Sequence, residues 1–131
     1  MTEEMPAVAE EERLARFVLF SNWIRNSDKT VKPEAFIPYP HPNLSVTRHL
    51  YLSEEAVWEI GQGVADARMK TLYGRADFYA ANALRQFLKI ESAPSPNNPN
   101  HANIANWPVE KSAQKIIAQQ LAADSVYQVK P

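Results

Sequence analysis

Leu44-Ser45-Val46-Thr47-Arg48-His49-Leu50-Tyr51-Leu52 runs directly into Ser53-Glu54-Glu55, and this junction decides the fold. Leu44, Val46, Leu50 and Leu52 share one face of an extended chain, while Ser45, Thr47, His49 and Tyr51 share the other, which is the period of a half-buried strand. Ser53 then offers an N-cap oxygen, and Glu54 and Glu55 place negative charge in a first helical turn, predicting a helix to about Arg68. Its apolar stripe is Val57, Ile60, Val64 and Ala67. Gly61 and Gly63 inside that helix cost about 1 kcal/mol each relative to alanine, so another element is expected to approach closely there. Arg48 interrupts the apolar face of the strand. A guanidinium turned inward must meet a carboxylate, backbone carbonyls or a bound anion, because burying an unpaired charge is costly.

Upstream, Arg16-Phe-Val-Leu-Phe-Ser-Asn-Trp-Ile24 is rich in β-branched and aromatic residues and reads as a buried first strand, with a helix over Arg13–Phe20 as the alternative. Pro33, Pro38, Pro40 and Pro42 then limit Ala35–Ile37 to a short edge strand within a packed connector, which is favoured over a polyproline ligand. Downstream, Leu72, Gly74, Ala76 and Phe78 alternate with Tyr73, Arg75, Asp77 and Tyr79, predicting a strand over Thr71–Tyr79 with a glycine bend. Ala80–Phe87 reads as a short helix and Leu88–Ile90 as a short strand. Residues 93–108 hold four prolines and five asparagines and read as a long loop anchored by Ile104 and Trp107. Pro108 opens a last helix from Val109 to about Ser125. The expected architecture is α+β: a small, mostly antiparallel sheet of four or five strands packed by two helices. Residues 1–12 are expected to be a flexible acidic tail, 13–125 one globular domain and 126–131 a C-terminal tail.

A chain of 131 residues suits a single core. It has no cysteine, which excludes disulfides, thiolate metal sites and cysteine nucleophiles. No apolar run matches a membrane span and no leader pattern is visible, so a cytoplasmic protein without membrane contact is expected. The formal charge is −1, but five of the fifteen acidic residues precede Arg13, leaving 14 basic residues against 10 acidic ones from Arg13 onward. That surplus tolerates an anionic ligand yet falls short of a dedicated nucleic-acid binder. Nucleic-acid binding through Arg13, Arg16, Arg25, Lys29 and Lys32 ranks last, because those residues interleave with buried strand positions. His41, His49 and His101 lack metal-ligand spacing, and with three glycines there is little material for a phosphate-cradling loop. Neither a metal nor a cofactor is expected.

Candidate chemistry gathers at Arg48, at Gly74-Arg75-Ala76-Asp77 and at His101-Ala102-Asn103-Ile104. Arg48, Arg75 and Asn103 would bind an anion, with His101 as acid–base and Asp77 as base or orienter. The structural alternative pairs Arg48 or Arg75 with Asp77 or another carboxylate and leaves His101 bonded to loop backbone.

The order Lys32-Pro33-x-Ala35-Phe36, Leu44-Ser45-Val46-x-Arg48, Leu52-Ser53-Glu54-Glu55-x-x-Trp58, Gly74-Arg75-Ala76-Asp77 and His101-Ala102-Asn103-Ile104-x-x-Trp107-Pro108 resembles a group of short uncharacterised bacterial proteins. The resemblance spans most of residues 13–123 and implies a bacterial, single-domain, intracellular protein; it brings no activity with it. Two functions from different classes follow. The first is a binding or adaptor module acting with a protein partner, as in a defence or toxin–antitoxin type system. It rests on small size, absent catalytic motifs, the acidic tail and the tryptophans Trp23, Trp58 and Trp107. The second is a small enzyme or sensor that binds a phosphate-bearing ligand through Arg48, Arg75 and His101.

Overall fold

The computed structural model describes residues 5–131. Eight strands and three helices follow in chain order: β1 (Arg13–Val18), β2 (Ile24–Arg25), β3 (Thr30–Val31), β4 (Leu44–Arg48), α1 (Glu54–Ala67), β5 (Gly74–Tyr79), α2 (Ala80–Leu84), β6 (Lys89–Ser92), β7 (His101–Ala105), α3 (Lys111–Asp124) and β8 (Val126–Val129). Six of the strands form one antiparallel sheet in the order β6-β7-β4-β1-β5-β8, and β2 and β3 make a separate two-stranded ribbon. The α+β expectation holds, with six strands rather than four or five. No helix among the described residues is long and apolar enough to cross a membrane.

The central strand β1 is buried on both faces. Leu14 and Val18 join Leu44, Val46, Ala76, Phe78, Ala102 and Ile104 beneath Ala118, Leu121 and Ala122 of α3, with Ala35 and Phe36 closing the same core. Ala15 and Phe17 point the opposite way and pack with Val57 and Ala65 of α1 and with Leu72. The two long helices therefore cover opposite faces of the sheet. Ser53 caps α1 as its sequence predicts, its Oγ accepting from the Ala56 N–H at 3.1 Å. Gly61 marks the predicted close approach, since a Cβ there would lie 2.5 Å from the Phe17 ring. Gly63 does not, because its side faces open space.

Several boundaries differ from expectation, each for a local reason. The first strand begins at Arg13 and ends at Val18; Ser21–Trp23 is a 3-10 turn, as is Pro33–Phe36 in place of the predicted edge strand. The 93–108 loop contains β7, whose inward residues Ala102 and Ile104 give too brief an alternation to stand out beside its asparagines. Helix α3 starts at Lys111, and the carbonyl of Pro108 instead accepts from Gln114 Nε2 at 2.8 Å. The expected C-terminal tail is in part the edge strand β8, which lies so close to β5 that a Cβ on Gly74 would collide with the Gln128 carbonyl. The far end of the expected acidic tail is also tied down. The carbonyls of Glu12 and Glu10 accept from the N–H groups of Ala80 and Ala81, donors in the first turn of α2 that have no partner within the helix. Residues 1–4 of that segment lie outside the described residues.

Candidate functional site

Strand alternation separates the residues that the sequence groups together. Arg48 stands opposite Leu14 in the ladder and so points toward the α3 face, whereas Arg75 and Asp77 stand opposite Phe17 and Ala15 and point toward the α1 face. Arg48 is fully buried and finds its carboxylate in Glu12. Its Nε and Nη2 donate to the two Glu12 oxygens at 2.6 and 2.7 Å, and Nη1 donates to the Pro6 carbonyl and Ser92 Oγ. This bidentate fork satisfies the charge internally and leaves nothing for a ligand.

Arg75 is likewise met by carboxylates. Its Nε donates to both Asp77 oxygens at 3.1 Å, its Nη2 bonds Glu54, and its guanidinium lies 4.6 Å from the centre of the Trp58 ring. Nη1 is buried without a hydrogen-bond partner among the described residues. Asp77 also contacts His49 Nε2 and Arg13 Nη2, both at 2.9 Å. Burial pushes the Asp77 carboxyl upward, but the hydrogen bond and charge of His49 together with Arg75 outweigh it and hold the group below the usual carboxylate range. The hydrogen bond from Arg75 does the same for Glu54. Two arginines set against two carboxylates make this cluster self-neutralising.

His101 shares the α1 face, yet it belongs to another place. The register runs His101–Thr47–Ala15–Asp77 across four adjacent strands, which puts His101 and Asp77 about 14 Å apart at ordinary strand spacing. His101 Nδ1 lies 2.9 Å from the Ala93 carbonyl, to which it donates, fixing Nε2 as the free nitrogen. Asn103 lies opposite Ser45 and Glu91, half-buried on that same face. The site expected from Arg48, Arg75, Asp77 and His101 is therefore not assembled. Arg48 lies across the sheet, Arg75 and Asp77 hold each other, and His101 stands three strands away.

What the structure assembles instead lies where β1 and β4 part. Their ladder covers only Leu14–Ala15 against Thr47–Arg48, so Phe17 and Ser45 are not paired. Arg16 reaches into the opening, with Nε donating to the Ala35 carbonyl and Nη1 to the Ser45 carbonyl, at 2.8 and 2.9 Å. Its Nη2 has no partner and no carboxylate pairs with it among the described residues. Burial, helped by the charge of Arg68, pulls its pKa down to about 10, so it stays cationic at neutral pH.

Two cavities meet at this point. A groove of about 210 Å³ between the sheet and the end of α1 is lined by Ser45, Thr47, Gly63, Asn98 and His101. A second, of about 540 Å³, is lined by Phe20, Trp23, Tyr39 and the prolines of the 38–42 segment. Arg16, Ser45 and Arg68 line both, and among the described residues no Asp or Glu lines either. Asn98 Nδ2 donates to Thr47 Oγ1 at 2.8 Å, which frees the Thr47 hydroxyl hydrogen to donate into the groove. Arg68 follows the last turn of α1, is exposed, and has no side-chain partner among the described residues. A cation there complements the helix dipole, but its charge also bears on that of Arg16.

The sequence places Arg16 among residues of little promise and passes over Arg68. The missed signal is parity: Leu14, Arg16 and Val18 alternate as Val46, Arg48 and Leu50 do, so both arginines interrupt an apolar row. Starting the strand at Arg16 removes the residue that makes the interruption visible. Comparison of the chain with protein-family models, with curated proteins and with solved structures finds no match. Among the described residues no group of three or more His, Asp or Glu side chains is arranged to hold a metal ion.

Proposed function

We propose that this protein is a binding domain that holds a phosphate-bearing ligand at Arg16 and Arg68. The observation that carries this reading is a pair of like charges lining the same two cavities, one of them partly buried, with no Asp or Glu in either lining and neither charge neutralised among the described residues. Elsewhere in the same chain a buried arginine is matched by a carboxylate, as Arg48 and Arg75 are. An anion supplies what Arg16 lacks: acceptors for Nη2, for the Arg68 guanidinium and for the Thr47 hydroxyl, through charge-assisted hydrogen bonds. Binding is favoured over catalysis because the groove holds no hydrogen-bonded nucleophile and base. His101 is bonded to loop backbone and Thr47 to Asn98. The adaptor role has narrower support. Phe87 and Val109 stand 86% and 95% exposed, but single exposed apolar residues are ordinary on small domains.

The test is thermal unfolding with AMP and with pyrophosphate, on wild type and on Arg68→Ala. A ligand at 100 times its dissociation constant adds about 2.7 kcal/mol of stability to the wild type. The variant is expected to lose most of that shift while unfolding at nearly the wild-type temperature without ligand. Equal shifts in the two proteins, or none in either, would overturn the assignment.

A further inference from the structure

We infer that the natural occupant of the joined cavities is a short single-stranded segment of nucleic acid, with phosphate at Arg16 and Arg68 and bases on the aromatic floor of the larger cleft. The inference rests on the anion site proposed above and names its ligand. It starts from the larger cavity, where three aromatic side chains each carry a cation. The Arg16 guanidinium lies 5.4 Å from the Trp23 ring centre, Lys70 Nζ 4.8 Å from that of Phe20, and Lys111 Nζ 5.0 Å from that of Tyr39. None of these cations, nor Arg68, is in an ion pair among the described residues. Phe20 and Tyr39 are 39% and 57% exposed, and Phe20 packs on Trp23 with ring centres 4.8 Å apart. Aromatic faces interleaved with unneutralised cations in an acid-free cleft form the surface on which unpaired bases stack while their backbone is tracked by charge.

Three features favour a strand over a single nucleotide or a duplex. Four cations and the exposed rings of Phe20 and Tyr39 exceed what one phosphate and one base engage, whereas two or three successive nucleotides use them. The arginine pair lies at the junction of the cavities, so a phosphate held there has chain on either side of it. The rings face a cleft whose walls include Pro38, Pro40 and Pro42, and a base within a duplex has no free face to offer them. An arriving base displaces Lys70 or Lys111 from its ring. The flexible lysine stem then swings its charge to the adjacent phosphate, so the cation is kept and the face is vacated. The acidic side chains among the described residues do not oppose this, since none of them lines either cavity.

The experiment is fluorescence anisotropy with labelled oligothymidylate and oligouridylate of about twelve nucleotides, a length within the span of known single-strand sites. A duplex of equal length and AMP serve as competitors, and the two sugars are separate arms that distinguish DNA from RNA. The expected result is salt-sensitive binding of at least one strand, at least about tenfold tighter than duplex, weakened about tenfold by Tyr39→Ala and by Arg68→Ala. Lys111→Gln should reduce the slope of log affinity against log salt by about 0.7, the single-strand value for one released counterion. If AMP stabilises the protein but strands bind no tighter than duplex or AMP, this inference fails and the anion site stands. If strands bind and neither Tyr39→Ala nor Arg68→Ala weakens them, it fails again. If neither AMP, pyrophosphate nor strands bind, both proposals fall.

Discussion

Four arginines of this small domain, Arg16, Arg48, Arg68 and Arg75, divide into two kinds, and the division lies in their partners rather than in their burial alone. Arg48 and Arg75 are sealed in the sheet, 0% and 1% exposed, with Glu12, Asp77 and Glu54 closing on them. Arg16 and Arg68 line the same two cavities, where β1 and β4 part, without a carboxylate partner among the described residues. A guanidinium whose charge is met within the chain is part of the architecture. One held only by carbonyl oxygens keeps its formal charge uncompensated and has donors left for a visitor.

The sharpest way to break this comparison is Arg48→Ala. It strips the counter-charge from a Glu12 side chain that is 8% exposed, so the expected loss is about 3–5 kcal/mol, read from urea unfolding. Replacing both partners together, Arg48→Met with Glu12→Leu, should recover most of that loss, because neither charge then needs compensation. If the single variant unfolds at the wild-type midpoint, Arg48 is not the closed arginine described above.

That pair also marks how far the sequence could be read. Alternation from Leu44 to Leu52 showed that Arg48 turns inward and needs a partner, and Ser53-Glu54-Glu55 announced α1 correctly. The partner could not be found the same way, for Glu12 lies 36 residues upstream in a stretch whose composition resembles a solvated tail. Its order comes from the tertiary contacts of Glu10 and Glu12 with α2. β7 and β8 were hidden for a related reason. An edge strand such as Val126–Val129 is exposed on most residues, so pairing with β5 rather than an apolar pattern defines it. Arg75 and Asp77, two residues apart on one strand face, were legible as a possible ion pair. Arg16 and Arg68 were not legible as a pair, because they meet only where β1 and β4 separate.

A smaller effect is expected at the second closed cluster. Asp77→Asn removes the charge and one of the two acceptor oxygens shared by Arg13, His49 and Arg75, while Glu54 remains to compensate Arg75 in part, so about 2–3 kcal/mol should be lost near pH 7. The pH dependence supplies its own control. Because Asp77 and Glu54 are depressed in the fold, their stabilisation is complete above the ordinary carboxylate value of about 4 and is lost as pH falls through their lower folded values. Wild type and Asp77→Asn should therefore converge as the pH drops below about 4. A constant gap between them down to strong acid would show that Asp77 acts through shape rather than charge.

The smallest change in stability belongs to the open pair, and its sign is the informative part. The Arg68 side chain is exposed and has no hydrogen-bond partner among the described residues, so Arg68→Ala without ligand should change stability by less than about 0.5 kcal/mol. Its charge nevertheless works against that of Arg16. Removing it relieves a repulsion that exists in the folded state and is diluted in the unfolded chain, which offsets the lost interaction with the C-terminal end of α1, so the variant should equal or slightly exceed the wild type at low salt. The difference should vanish as salt shortens the reach of the charge. Arg16→Ala behaves differently, since it also abandons the carbonyls of Ala35 and Ser45 and loses their hydrogen bonds. A residue that costs the empty fold a little and repays it only when an anion is present is what a binding site requires. An Arg68→Ala variant destabilised by more than about 1 kcal/mol would instead place Arg68 with Arg48 and Arg75, among the residues that hold the fold together.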